Sequence, residues 1–128
     1  MKAVKTQNAP AAIGPYSQAI IANGLVYTSG QIPVDPCDGS VKETFSEQAE
    51  QAIKNLEAVL AAAGSSNEKV VKTTCFLKYM SDFPVFNEIY AKHFPSCPAR
   101  SCVEVACLPK NVLVEIEAVA EAASCDKA

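Results

Sequence analysis

Val112-Leu113-Val114-Glu115-Ile116-Glu117-Ala118-Val119-Ala120-Glu121-Ala122 alternates with a period of two. Successive side chains of a strand project to opposite faces, so Val112, Val114, Ile116, Ala118 and Ala120 make one unbroken apolar face. Leu113, Glu115, Glu117, Val119 and Glu121 make the other. Such a strand belongs to a sheet with one face packed beneath helices and the other facing water or a second subunit. The three carboxylates of the second face read either as a solvated surface or as part of a site.

Pro109-Lys110-Asn111 joins this strand to another over Ser101 to Leu108, within Pro98-Ala99-Arg100-Ser101-Cys102-Val103-Glu104-Val105-Ala106-Cys107. That segment reads as a buried strand with Arg100 at its mouth. Upstream, Asp82 is placed to N-cap a helix with Pro84 in its first turn. Phe86, Ile89, Tyr90, His93 and Phe94 share one face of that helix, and Pro95 ends it. Lys69 to Met80 alternates as a strand, with Val71, Thr73, Cys75, Leu77 and Tyr79 on one face.

Before it, Thr44-x-x-Glu47 forms a capping box for a second helix. Ala49, Ala52, Ile53, Leu56, Val59, Leu60 and Ala63 line its inner face, and Gly64 stands as its C-terminal cap. Glu47, Glu50, Gln51, Lys54 and Glu57 form a solvated face. Asn23-Gly24 between Ser17 to Ala22 and Leu25 to Gln31 predicts a hairpin, because both turn positions need positive φ. Lys2 to Thr6 is a candidate edge strand. The order is β-β-α-β-α-β-β with a possible extra N-terminal edge strand: one mixed sheet, two helices on one face, an α+β fold.

With 128 residues, 49% hydrophobic and 20% charged, the chain reads as one soluble domain over residues 1–128. A net charge of −3 with scattered basic residues argues against nucleic-acid binding. The N-terminus lacks the apolar core of a signal peptide, no run is long enough to span a membrane, and no glycosylation sequon occurs. A cytoplasmic location is expected. Six cysteines (Cys37, Cys75, Cys97, Cys102, Cys107 and Cys125) are read as free thiols, and with one histidine and no Cys-x-x-Cys no metal site is expected.

No phosphate-binding loop, dinucleotide fingerprint or nucleophile elbow is present, and His93 reads as a packed helix residue rather than a base. What remains is Arg100, able to hold a carboxylate or phosphate with its planar fork, and Glu115, able to activate water if partial burial raises its pKa. Tyr16 is either an ordinary loop aromatic or part of a pocket wall. Ser29-Gly30 permits close backbone approach or marks a bulge. Cys102 reads as a structural thiol, since no base is evident. Composition and spacing reach an anion-binding site with a candidate acid/base and no further.

Ala9-Pro10 with Ile13-Gly14-Pro15-Tyr16-Ser17-Gln18-Ala19, Thr28-Ser29-Gly30-Gln31-Ile32-Pro33 and Val71-Lys72-Thr73-Thr74 carry a more specific signal. So do Asp82-Phe83 with Asn87 and Tyr90, Pro98-Ala99-Arg100-Ser101-Cys102-Val103, Leu108-Pro109-Lys110 and Val114-Glu115-Ile116-Glu117-Ala118. Together they resemble the RidA/YjgF family of reactive-intermediate deaminases over almost the whole chain. The resemblance implies a chorismate-mutase-like α+β fold assembled as a homotrimer, with sites in the clefts between subunits. It implies hydrolysis of small enamine and 2-imino acids such as 2-aminoacrylate to 2-keto acids and ammonia, without a cofactor. By position, Arg100 would hold the substrate carboxylate and Glu115 would activate water. Cys102 would contribute backbone groups, and Tyr16, Ser29, Gly30 and Asn87 would line or support the site. Cys37, Cys97, Cys107 and Cys125 fall outside the matched pattern. The rival readings are an endoribonuclease or translation inhibitor, and a non-catalytic module binding small carboxylates.

Overall fold

Asn23 and Gly24 adopt φ of 52° and 79°, the two left-handed positions that a two-residue hairpin turn requires. They join β2 (Ala19–Ala22) to β3 (Leu25–Thr28) in antiparallel register, with Ala22 opposite Leu25. Both strands are shorter than the sequence suggests, because Ser29 onward leaves the ladder and only Gln31 returns to pair, with Ile116. The computed structural model describes residues 1–123, so Cys125 lies outside the described residues.

The other elements are β1 (Lys2–Val4), α1 (Phe45–Ala62), β4 (Val70–Leu77), α2 (Phe83–His93), β5 (Ala99–Glu104) and β6 (Val114–Glu121). The strands form one mixed sheet in the order β1-β2-β3-β6-β4-β5, antiparallel except where β4 meets β5. β6 sits inside the sheet, which explains its apolar face: Val114, Ile116, Ala118 and Ala120 are buried, while Glu115, Glu117 and Val119 are half-buried. Val112 precedes the strand and is nevertheless buried.

Thr44 caps α1, its Oγ1 accepting from the Glu47 N–H at 3.2 Å and donating to the Glu47 carboxylate at 2.9 Å. Gly64 follows the last turn at φ 77°, where a side chain would be strained. Ile53, Leu56, Val59 and Leu60 are fully buried. Burial of each such side chain contributes about 1.5–3 kcal/mol, so this stripe fixes α1 across the sheet. Asp82 precedes α2 as expected, but its side chain makes no capping hydrogen bond, because a 3₁₀ turn over Met80–Asp82 runs straight into the helix.

Two expectations fail in instructive ways. Val71 is exposed and Val70 buried, because a bulge between Val70 and Lys72 shifts the register against β6 and reverses the alternation at the strand's start. From Thr73 to Leu77 the expected face is the buried one, but the strand ends there and Tyr79, expected on the same face, is exposed. The segment from Pro98 to Cys107 is no buried strand. β5 pairs only with β4, ends at Glu104, and leaves Ala99, Ser101, Val103 and Glu104 exposed at the sheet edge. The helices cover one sheet face; the other carries Tyr27 and Val103 exposed beside half-buried Phe76 and Val119. No helix among the described residues is long and apolar enough to cross a membrane.

Candidate active site

Arg100 stands opposite Thr73 in the β4/β5 register, so its side chain projects to the helix-covered face beneath α2. Phe83, Asn87 and Tyr90 fall at i, i+4 and i+7 on α2 and meet it there. One terminal guanidinium nitrogen of Arg100 donates to Asn87 Oδ1 at 2.9 Å. The guanidinium carbon lies 5.2 Å from the Phe83 ring centre and 4.8 Å from that of Tyr90. Both distances are within cation–π range. Tyr90 is held in turn by a 2.7 Å hydrogen bond between its hydroxyl and Thr73 Oγ1. Among the described residues no carboxylate lies within ion-pair distance of Arg100. A half-buried cation has therefore been oriented without being neutralised.

Cys102 lies two residues along β5 on the same face, where its side chain packs against the core. Burial pushes its thiol pKa up, against a smaller lowering by Arg100. Its partner across the ladder, Cys75, is fully buried and pushed up to about 12, chiefly by desolvation. Neither is an activated nucleophile. The Val105 N–H donates to Leu77 O at 2.9 Å. In a parallel ladder the bonded residues alternate, so the backbone N–H groups of Arg100 and Cys102 face the open edge.

Glu115 is elsewhere. It pairs with Phe76, and its side chain projects to the face that no helix covers. Gly30 closes over it: a Cβ built on Gly30 would stand 1.8 Å from Glu115 Oε2, so a side chain there would displace the carboxylate. Desolvation raises the Glu115 pKa, and the charge of Glu117 raises it further. Ser29 supports this region, its hydroxyl donating to Ser17 O at 2.6 Å and its N–H to Gln18 O at 2.9 Å. Tyr16, 53% exposed, shares with Gly30 the lining of a cavity of about 530 Å³ whose other walls include Ile13, Ile32, Pro109 and Lys110.

Arg100, Asn87 and Cys102 thus gather on one side of the sheet, and Glu115, Gly30, Ser29 and Tyr16 gather at another place. Arg100 lies in the row of Thr73 and Glu115 in that of Phe76, two strands across. Three residues along and two strands over put their Cα atoms roughly 14 Å apart, with the side chains on opposite faces.

The chain matches the family model described as endoribonuclease L-PSP over residues 6–122. It belongs to that family. This is the YjgF family that the sequence motifs resemble, and its members carry several kinds of name. A 2-iminobutanoate/2-iminopropanoate deaminase of Salmonella typhimurium is 51% identical over 123 residues, covering 93% of this chain and 96% of the relative. A Lactococcus lactis protein named as a regulator, AldR, is 55% identical over 126 residues, covering 97% of this chain and all of the relative. Escherichia coli TdcF, solved with bound serine, superposes with a TM-score of 0.92 at 42% identity, covering 96% of this chain and all of that one. The YjgF-family α+β fold is therefore shared over 96% of the chain.

The aromatic floor under Arg100 is not among the residues that sequence reasoning singles out as site residues. The i, i+4, i+7 spacing of Phe83, Asn87 and Tyr90 is the signal that could have found it. His93, the single histidine, turns its ring to carboxylates of α1. Its Nε2 is 2.6 Å from Glu50 and its Nδ1 3.6 Å from Glu57, so it ties α2 to α1. Glu50 and Glu57 consequently serve a helix contact and are not a purely solvated face. Among the described residues no group of three or more His, Cys, Asp and Glu side chains is arranged to hold a metal ion.

Proposed function

We propose that the chain hydrolyses small 2-imino acids and their enamine tautomers, such as 2-aminoacrylate, to 2-keto acids and ammonia. The observation that carries this reading is the oriented, unneutralised Arg100. A planar substrate carboxylate fits its remaining N–H groups bidentately, with the edge-facing N–H of Cys102 beside it. Asn87 positions the guanidinium. Glu115 acts on water: its raised pKa, set chiefly by desolvation, makes it a stronger base than an ordinary carboxylate.

In the reaction the enamine first takes a proton at its terminal carbon and becomes an iminium. Water adds to the iminium carbon as Glu115 accepts its proton, giving a carbinolamine. That proton passes to nitrogen, the C–N bond breaks, and ammonia leaves as Glu115 takes the hydroxyl proton and the carbonyl forms. This proton goes to solvent, replacing the one the enamine took up from it. An iminium carbon is already electrophilic, so positioning and one base suffice. Tyr16, Ser29 and Gly30 line or support the wall on the Glu115 side, and the chemistry calls for no cofactor.

Arg100 and Glu115 of one chain cannot meet on a substrate this small, since they lie on opposite faces of the sheet. The reading therefore needs the Arg100 cluster of one copy beside the Glu115 cluster of another, as in a homotrimer with sites at its clefts. The partly apolar, helix-free sheet face supports such an assembly. The deaminase name of the Salmonella relative and the serine bound to TdcF support the substrate class. The family description favours an endoribonuclease instead, but the net charge of −3 and the engagement of the His93 ring by Glu50 and Glu57 count against it.

The test generates 2-aminoacrylate with a dehydratase and follows keto-acid release. Acceleration by the wild-type chain supports the reading. No acceleration, with serine or a keto acid still bound, would leave a carboxylate-binding module in its place.

A further inference from the structure

Asn55 sits in the middle of α1, fully buried among apolar residues. An amide there is a poor helix former and costly to desolvate unless its hydrogen bonds are made. Its Nδ2 donates to Ile32 O at 2.9 Å and to Val34 O at 2.8 Å, and its Oδ1 accepts from Gln51 Nε2 at 2.8 Å. Both donors are spent on one short stretch of non-strand backbone.

That stretch is held from the other side as well. The Gln31 N–H donates to Ile116 O at 2.7 Å, and the Ile116 N–H donates to Gln31 O at 3.1 Å. Residues 31–34 are thus stretched between β6 and a helix side chain. Gly30 immediately precedes them and bears on the Glu115 carboxylate, with no room for even one added carbon. Asn55 lies on the helix-covered side of the sheet, and the segment it holds leads directly into Gly30 beside Glu115.

We infer that Asn55 is a positioning residue for Glu115: by clamping Ile32 and Val34 it holds Gly30 against one side of the carboxylate and shields that side from bulk solvent, leaving the other to the attacking water. The inference rests on the reading of Glu115 as the base. Glu115 titrates among few other charges. Its neighbours across the sheet are Phe76 of β4 and Val103 beyond it on β5, and Gly30 covers it. Glu117 is the nearest charged group on its own strand, with Glu121 further along the same face, and Lys78, two residues past Phe76, donates to Asn111. Desolvation is the largest cause of its raised pKa, and desolvation is what the clamp controls.

The experiment compares wild type, Asn55→Ala, Asn55→Ser and Gln51→Ala by carbon-13 titration of the Glu115 carboxyl and by kcat and KM against pH. Asn55→Ala removes both donors. Asn55→Ser keeps a single donor and carries the test if the alanine variant does not fold. Gln51→Ala leaves both donors in place. The expected result is a Glu115 titration moved to lower pH in both Asn55 variants, further in alanine than in serine, and unmoved in Gln51→Ala. The acid limb of kcat should follow, with kcat about tenfold lower and KM within about twofold. A folded Asn55 variant whose Glu115 titrates as in wild type overturns the inference, whatever its stability. Should Glu115→Gln prove fully active, the base assignment falls, and the carboxyl titration still judges the clamp separately.

Discussion

Arg100 and Glu115 are both half-buried and both charged, yet the fold handles them in opposite ways. Around Arg100 it places an amide acceptor and two aromatic faces, all favourable to a cation. Around Glu115 it places a close-fitting glycine and a second carboxylate, both unfavourable to an anion. The first arrangement suits a group that must hold an anionic substrate in a fixed orientation. The second suits a group that must take up a proton. Binding is built from satisfied interactions, and the base from a withheld one.

If this division is right, the two halves fail differently. Glu115→Gln should lower kcat by about 10²–10⁴ with KM little changed, the loss of a positioned base. The same variant should be the more stable protein at neutral pH. A carboxyl whose folded pKa is raised favours the fold below its unfolded value and loses that contribution as pH rises through the raised one. Its melting temperature should therefore exceed wild type at neutral pH, with the advantage vanishing on acidification below the ordinary carboxylate range. Gly30→Ala should cost about 10² in kcat by displacing the carboxylate, again sparing KM.

On the other half, Arg100→Lys keeps the charge and loses the fork. It should lower kcat/KM by about 10–100-fold, mainly through KM, as expected for charge-assisted hydrogen bonds. Tyr90→Phe should have the smallest effect, since it removes only the hydroxyl that meets Thr73. A loss of about 1 kcal/mol in stability is expected from urea unfolding, with a few-fold rise in KM as the floor under Arg100 loosens. An unchanged KM in both Arg100→Lys and Tyr90→Phe would break the assignment of binding to this half.

Much of the fold could be read from local signals because those signals were strong where they occurred. Asn23-Gly24, the Thr44 capping box and the two faces of Val114–Glu121 each rest on a single short-range rule. Position across the sheet was not readable that way. Nothing in Ala99–Glu104 says that it pairs on one side only, so its alternation suggested a buried strand when it forms an edge. Two adjacent valines at 70 and 71 fit either face, so the bulge left no pattern. Asn55 carries no local signal, since its partners lie 23 and 21 residues away in a loop. For the site, residue types and family motifs singled out Arg100 and Glu115, but only the strand register puts them on opposite faces.

The account stands or falls on whether Arg100 and Glu115 serve the same site from different chains. Arg100→Lys and Glu115→Gln can be unfolded together in equal amounts, refolded and assayed beside each variant alone at substrate far below the wild-type KM, where both parents are impaired. Random assembly pairs an intact Arg100 with an intact Glu115 from a neighbour in about a quarter of sites. The account predicts recovery of about a quarter of wild-type activity in the mixture. A mixture that assembles and remains as inactive as its parents would mean that both residues act within one chain, or not together at all.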